Sequence, residues 1–176
     1  EIIPHLPESG PSVLADPTQI HQIVMNLSTN AAQALEPYGG QIEISLNEVE
    51  VPADGDGELP RGLTGSFVQL EVRDNGPGIE PEFLKRIFDP YFTTKPAGKG
   101  TGMGLAVVHG IVTNYSGAIM VENAPDGGSV FRVYLPRVDA NHVSAIEAKS
   151  HETIGTERIL LVDDEVPLVE MGRLML

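Results

Sequence analysis

The chain has 176 residues, enough for one domain with a core of its own and something extra. It has no cysteine, which excludes a disulfide framework and a thiolate metal site and fits a reducing compartment such as the cytoplasm. Its 25 acidic and 11 basic residues give a formal charge of -14, which repels nucleic acid phosphates and anionic membranes at long range. No apolar run reaches the roughly 20 residues that cross a bilayer, and the opening "EIIPHLPESG" lacks a basic-then-apolar leader, so this segment is expected to contact neither nucleic acid nor membrane.

The first predicted element is a helix from about Pro17 to Glu36. Asp16, Pro17 and Gln19 read as an N-cap, a proline at the first helical position and a capping-box partner, and Gly39-Gly40 form a turn beyond it. Ile20, Ile23, Val24, Leu27, Ala31, Ala34 and Leu35 recur with a helical period and mark the buried stripe. A second stripe carries Asn26, Asn30 and Gln33. Asparagine weakens a helix interior by a few tenths of a kcal/mol, because its amide competes for backbone hydrogen bonds, so two of them call for a reason.

Alternating apolar residues predict strands in "QIEISLNEVEV" and "SFVQLEVRD", joined by an exposed hairpin loop, "PADGDGELPRGLTG". A short helix over Pro81 to Phe88 and a longer one over Thr101 to Tyr115 follow. "GAIMVEN" and "GSVFRVYLP" then form a hairpin about Asp126-Gly127-Gly128. The expected fold is a two-layer α/β sandwich, an antiparallel or mixed sheet with helices packed on one face. Residues 137–157 lose periodicity and read as a linker, and "RILLVDDEVPLVEMGRLML" starts a new pattern of apolar strand and acidic pair. The start at Glu1 and the apolar ending are the pattern of a segment cut from a longer protein.

Chemistry concentrates in two glycine-bearing stretches. In "RDNGPGI", Asp74 ends a strand and is followed by Gly76 and Gly78, which permit a tight turn and close approach of a flat ligand; taken alone, this is also ordinary turn chemistry. "GKGTGMGL" fails the dinucleotide pattern G-x-G-x-x-G and the G-K-[ST] of a P-loop, yet backbone N–H groups leading into a helix N-terminus form an anion site. Lys85, Arg86, Lys95 and Lys99 lie within fifteen residues of one another, and this local positive patch suits a small anionic ligand. His5, His21, His109, His142 and His151 match no metal spacing, and His109 is expected to be structural.

In this order, "NLSTNAAQAL", "DNGPGI", "FDPYFTTK" and "GKGTGMGL" resemble the N, G1, F and G2 boxes of the catalytic ATP-binding domain of histidine kinases, over residues 1–136. That resemblance implies the Bergerat α/β sandwich shared with DNA gyrase, and ATP and Mg²⁺ as cofactors. It makes Asn30 the Mg²⁺ ligand, places Asn26 at the phosphates, and assigns Asp74 to the adenine amino group with Gly76, Gly78 and Ile79 shaping the pocket. Phe88 and Phe92 belong to the F box that packs a mobile lid, and Thr94, Lys95 and Lys99 lie near the phosphates. Gly100, Gly102 and Gly104 form the lid's phosphate-facing hinge, and Thr101, Met103 and Leu105 between and after them count among the ATP-binding residues. Many relatives carry an aromatic where this chain has Ala34, which leaves the adenine stacking partner open.

Relatives that hydrolyse ATP generally carry Glu where this chain has Asn26, and an amide cannot serve as general base for water. The resemblance therefore implies a histidine kinase in two-component signalling, transferring the γ-phosphoryl group to a histidine on a dimerisation domain of the same protein. No histidine here stands in the family's "SHELRTP"-like setting, so no catalytic acceptor is expected in this chain. The alternatives are a non-catalytic nucleotide-binding regulatory module and a gyrase-type ATPase. "ILLVDDE" is similar to the start of a response-regulator receiver domain, which makes Asp163 and Asp164 candidate Mg²⁺ ligands, residues 158–176 a truncated receiver, and the parent a hybrid kinase signalling to a receiver or response regulator.

Overall fold

Helix α1, Pro17–Leu35, begins as its sequence demands: Asp16 is extended and its Oδ1 accepts the Thr18 N–H at 2.7 Å. The other half of the expected box is made differently. The Asp16 N–H donates to the Tyr115 hydroxyl at 2.9 Å, from the end of the second helix, α2, Gly104–Asn114. The predicted stripe buries Ile23, Leu27, Ala31 and Leu35. Fully burying a large apolar side chain contributes about 1.5–3 kcal/mol, so this stripe outweighs the tenths lost at the two asparagines.

The computed structural model describes residues 1–36, 39–52, 63–95 and 100–138. Most of the predicted 52–65 loop, Lys99, the linker beyond Val138 and the Asp163-Asp164 segment lie outside the described residues. Arg137 and Val138, expected to open the linker, instead continue the last strand of the sheet, held there by pairing with Val13 and Ser12. No described helix is long and apolar enough to cross a membrane.

Six described strands form the sheet: β1 Ile2–His5, β2 Ser12–Val13, β3 Ile42–Val51, β4 Gly65–Asp74, β5 Ala118–Asn123 and β6 Ser129–Val138. Their order is β1-β3-β4-β6-β2, with β5 also on β6. β1 runs parallel to β3 and the other pairings are antiparallel, so the sheet is mixed. Both helices cover one face, where Ile23, Leu27, Val108 and Val112 meet Ile42, Val72, Phe131 and Val133. The opposite face carries the Arg132 ion pairs to Glu71 and Glu122 and a small cluster of Val51, Phe67 and Tyr134.

Two expectations are corrected. Residues 81–88 are not a helix but successive turns, closed by N–H bonds from Phe83 to Glu80 O and from Arg86 and Ile87 to Phe83 O. A segment this short, opened by Pro81, does not recover the cost of helix nucleation, and burial of Ile87 holds it instead. α2 starts at Gly104 rather than Thr101, because Gly102 takes a φ of 66° that breaks the helical path.

The register positions the site. On the helix-covered face the last rung runs Ile42, Asp74, Ser129, Asn123, so an apolar surface turns polar at its final row.

Candidate nucleotide-binding site

A cavity of about 600 Å³ opens at that polar row, between α1, the turn after β4, the 83–95 segment and the loop entering α2. Asp74 lies at its base and is only 3% exposed. Oδ2 accepts the Ser129 hydroxyl at 2.5 Å and Oδ1 the Gly76 N–H at 2.8 Å. A carboxylate has about four acceptor positions, so both oxygens retain capacity for an amine on a ligand. A Cβ on Gly76 would stand 2.9 Å from Asp74 Oδ1, which explains the glycine.

At the other end, α1 presents Asn26 and Asn30 to the cavity. Asn26 Nδ2 donates to the Gln22 carbonyl at 2.9 Å, and its Oδ1 lies where a Cβ on Gly104 would come within 2.9 Å. The asparagine and the glycine thus fit each other across the site. Lys95 Nζ donates to Asn30 Oδ1 at 3.2 Å and to Gln33 Oε1, and partial burial lowers the pKa of this lysine. Opposite, the Tyr91 N–H donates to Gly102 O at 2.9 Å, with Tyr91 itself at a φ of 67°.

Of the residues singled out by sequence, Asn26, Asn30, Asp74, Gly78, Ile79, Phe92, Thr94, Lys95, Gly100, Thr101, Gly102, Gly104 and Leu105 line the cavity. Gly76 acts one step back, through Asp74. Phe88 and Met103 do not line it: Phe88 packs on the core and lies 5.6 Å from the exposed His109 ring. Of the expected basic patch, Lys85 and Arg86 face elsewhere. Arg86 lies 4.6 Å from the centre of the Phe92 ring, which also packs on Phe83 at 5.5 Å.

Sequence reasoning missed Ser129, Phe83, Phe131 and Gln33 as lining residues. Gln33 was legible from its stripe with Asn26 and Asn30. Ser129 was not, because only the register places it beside Asp74.

The family profile described as histidine kinase-, DNA gyrase B-, and HSP90-like ATPase matches residues 15–139. The chain belongs to this family. The sensor kinase CckA of Brucella abortus (strain 2308) is 39% identical over 91% of this chain and 18% of its own length. The sensor histidine kinase ZraS of Escherichia coli (strain K12) is 39% identical over 72% of this chain and 23% of its own length. The chain therefore spans about a fifth of these curated relatives. The catalytic domain of histidine kinase ThkA, in a nucleotide-free form, superposes with a TM-score of 0.61 at 30% identity, covering 78% of each chain. Full-length ShkA in complex with AMPPNP gives 0.60 at 28% identity, over 80% of this chain and 26% of that one. Within the ATPase family the chain thus corresponds to the ATP-binding catalytic domain of a sensor histidine kinase.

Both expected ligands fit the residues present. The cavity volume falls within the roughly 300–1,000 Å³ of small-molecule sites, and its buried carboxylate offers acceptors to an amine-bearing base. For a divalent cation, the Asn30 and Gln33 side-chain oxygens already converge on a cation, the Lys95 ammonium. Neutral oxygens of this kind suit Mg²⁺, which keeps several waters and takes further ligands from phosphates.

Proposed function

We propose that this domain binds Mg-ATP and holds the γ-phosphoryl group for transfer to a histidine on a dimerisation domain of the same protein. Asn26 carries the reading. It stands on the cavity wall with its nitrogen donating to the Gln22 carbonyl, and because the lone pair of an amide nitrogen is delocalised into its carbonyl, the side chain cannot take a proton from water. The carboxylates lining the cavity, Asp74 and Glu80, belong to the end of β4 and the turn after it rather than to α1.

In this reading Asp74 accepts the amino group of the base, and Gly76, Gly78 and Ile79 shape its slot. Asn30, with Gln33 beside it, holds Mg²⁺, whose charge offsets that of the phosphates. Lys95, Lys99 and the N–H groups of residues 100–104 grip the triphosphate. The family domain runs from residue 1 to the end of β6 at Val138, a linker continues to 157, and the start of a receiver occupies 158–176, where Asp163 and Asp164 hold a second Mg²⁺. Two observations support the receiver: "ILLVDDE" itself, and a CckA match that covers too much of the chain to end at residue 139. The parent is then a hybrid sensor kinase working in the cytoplasm, which supplies ATP, and passing phosphate to a receiver or response regulator.

The test is incubation of this chain with γ-labelled ATP, alone and with the histidine-bearing domain added in trans. Alone it should bind Mg-ATP, hydrolyse it negligibly and gain no acid-labile phosphate. With the partner, label should appear slowly on the partner's histidine, since tethering is lost. Rapid turnover by the chain alone would favour the gyrase-type ATPase, and nucleotide binding without transfer the regulatory module.

A further inference from the structure

The tip of the β5–β6 hairpin is bound to the end of β4 and the turn after it by three separate links. Ser129 donates to the Asp74 carboxylate at 2.5 Å. Arg73 reaches both carboxylate oxygens of Asp126, at 2.5 and 2.6 Å. The third link has no counterpart among the motifs read from sequence: Asn123, the last residue of β5, accepts the Ile79 N–H on Oδ1 at 2.8 Å and donates from Nδ2 to the Ile79 carbonyl at 2.7 Å. One carboxamide thus satisfies both backbone groups of one residue, as a neighbouring strand would, beyond the point where the strand itself has ended. Space confirms how close the approach is. A Cβ on Gly78 would stand 2.9 Å from Asn123 Oδ1 and 3.2 Å from Gly128 O, and Gly78 has a φ of 77°.

We propose that Asn123 is a positioning residue of the cavity: its two-bond bridge to Ile79 holds the Gly78-Ile79 wall at the depth that a nucleotide base needs above Asp74. The proposal rests on the nucleotide reading above. Without the bridge, two glycines in the four residues 76–79 leave that turn free to shift, while Asp74 stays anchored by Ser129. The bridge also occupies the Ile79 backbone groups, so the base meets the Asp74 carboxylate rather than those groups. Asn123 is exposed, so its replacement spares the core.

The test compares this chain with Asn123→Ala and Asn123→Asp, by calorimetry with ATP and ADP and by amide exchange at Ile79. Asn123→Ala should weaken ATP and ADP by the same severalfold factor and speed exchange at Ile79, while exchange in α1 and the thermal midpoint stay near wild type. Asn123→Asp keeps the size and the acceptor for the Ile79 N–H but sets two oxygens against each other at the second bond. It should lose at least as much affinity as Ala, whereas a merely space-filling role would leave it at wild-type affinity. Unchanged Ile79 exchange, or wild-type nucleotide affinity in both variants, overturns the proposal alone. Failure of the wild-type chain to bind ATP or ADP overturns the nucleotide reading, and the proposal with it.

Discussion

The two ends of the cavity are built in opposite ways. At the base end, Asp74, Ser129 and Asn123 stand on one rung of the sheet, and their polar groups are tied to strands or to the adjoining turn by bonds of 2.5–2.8 Å. At the phosphate end the wall is a helix facing a loop, and the ties across the gap are a long lysine side chain on Asn30 and Gln33 and one backbone bond between Tyr91 and Gly102. Strand neighbours move together, because each is bonded on both sides, whereas a lysine contact is exchanged for another at small cost. Under the proposed assignment, the base would meet a preformed slot and the phosphates an adjustable grip.

The largest effect expected is at the rigid end. Asp74→Ala removes the charged partner of the base, a contact of about 1.5–3 kcal/mol, and should weaken ATP at least tenfold by calorimetry with the fold retained. Equal affinity would end the assignment of this slot. Gly102→Ala comes next: at a φ of 66°, with the new Cβ against the Tyr91 backbone, it should cost about 1–3 kcal/mol, read as a lower thermal midpoint together with weaker ATP binding.

Asn30→Asp tests the adjustable end. Its carboxylate would pair with Lys95 in the nucleotide-free protein and repel the triphosphate, so Mg-dependent ATP affinity should fall severalfold while the free protein keeps its stability. Insensitivity to both Mg²⁺ and this change would remove Asn30 from the site. Hydrogen exchange sharpens the contrast further. An ATP analogue should protect residues 93–95 and 100–103 more than it protects β4 or β6, and equal protection throughout would contradict a movable lid.

The smallest effect concerns pH. Burial lowers the Lys95 pKa in the folded protein below its ordinary 10.5. Its charge therefore opposes folding while both states are protonated. That cost is relieved as pH rises through the folded pKa towards 10.5, where the unfolded chain still holds the proton. Wild type should gain a little stability across that window relative to Lys95→Met, in denaturant titrations at matched ionic strength. Identical slopes would place the ammonium in water.

Much of the sandwich was legible because its signals are local. The α1 stripe, the Asp16 cap and the alternation of β3 and β4 each lie within a dozen or so residues and came out close to the bounds predicted. The 81–88 segment misled because its apolar spacing suits a helix too short to nucleate alone. β1 and β2 left no signal: four and two residues long, they are strands only because β3 and β6 pair with them.

At the site, the sequence by itself determined which side chains were present: a carboxylate at a strand end, two asparagines one turn apart, and glycines, among them Gly76, Gly78, Gly102 and Gly104, where another group comes too close for a Cβ. The tertiary structure decided how they combine. Ser129 and Asn123 join Asp74 through register across three strands, Tyr115 replaces Gln19 at the cap of α1, and Lys95 meets Asn30 across a gap of 65 positions. Local patterns reflect the repeat of a single helix or strand, which neighbouring residues dictate. Contacts between distant segments depend on how whole elements pack, and no short stretch of chain holds that information.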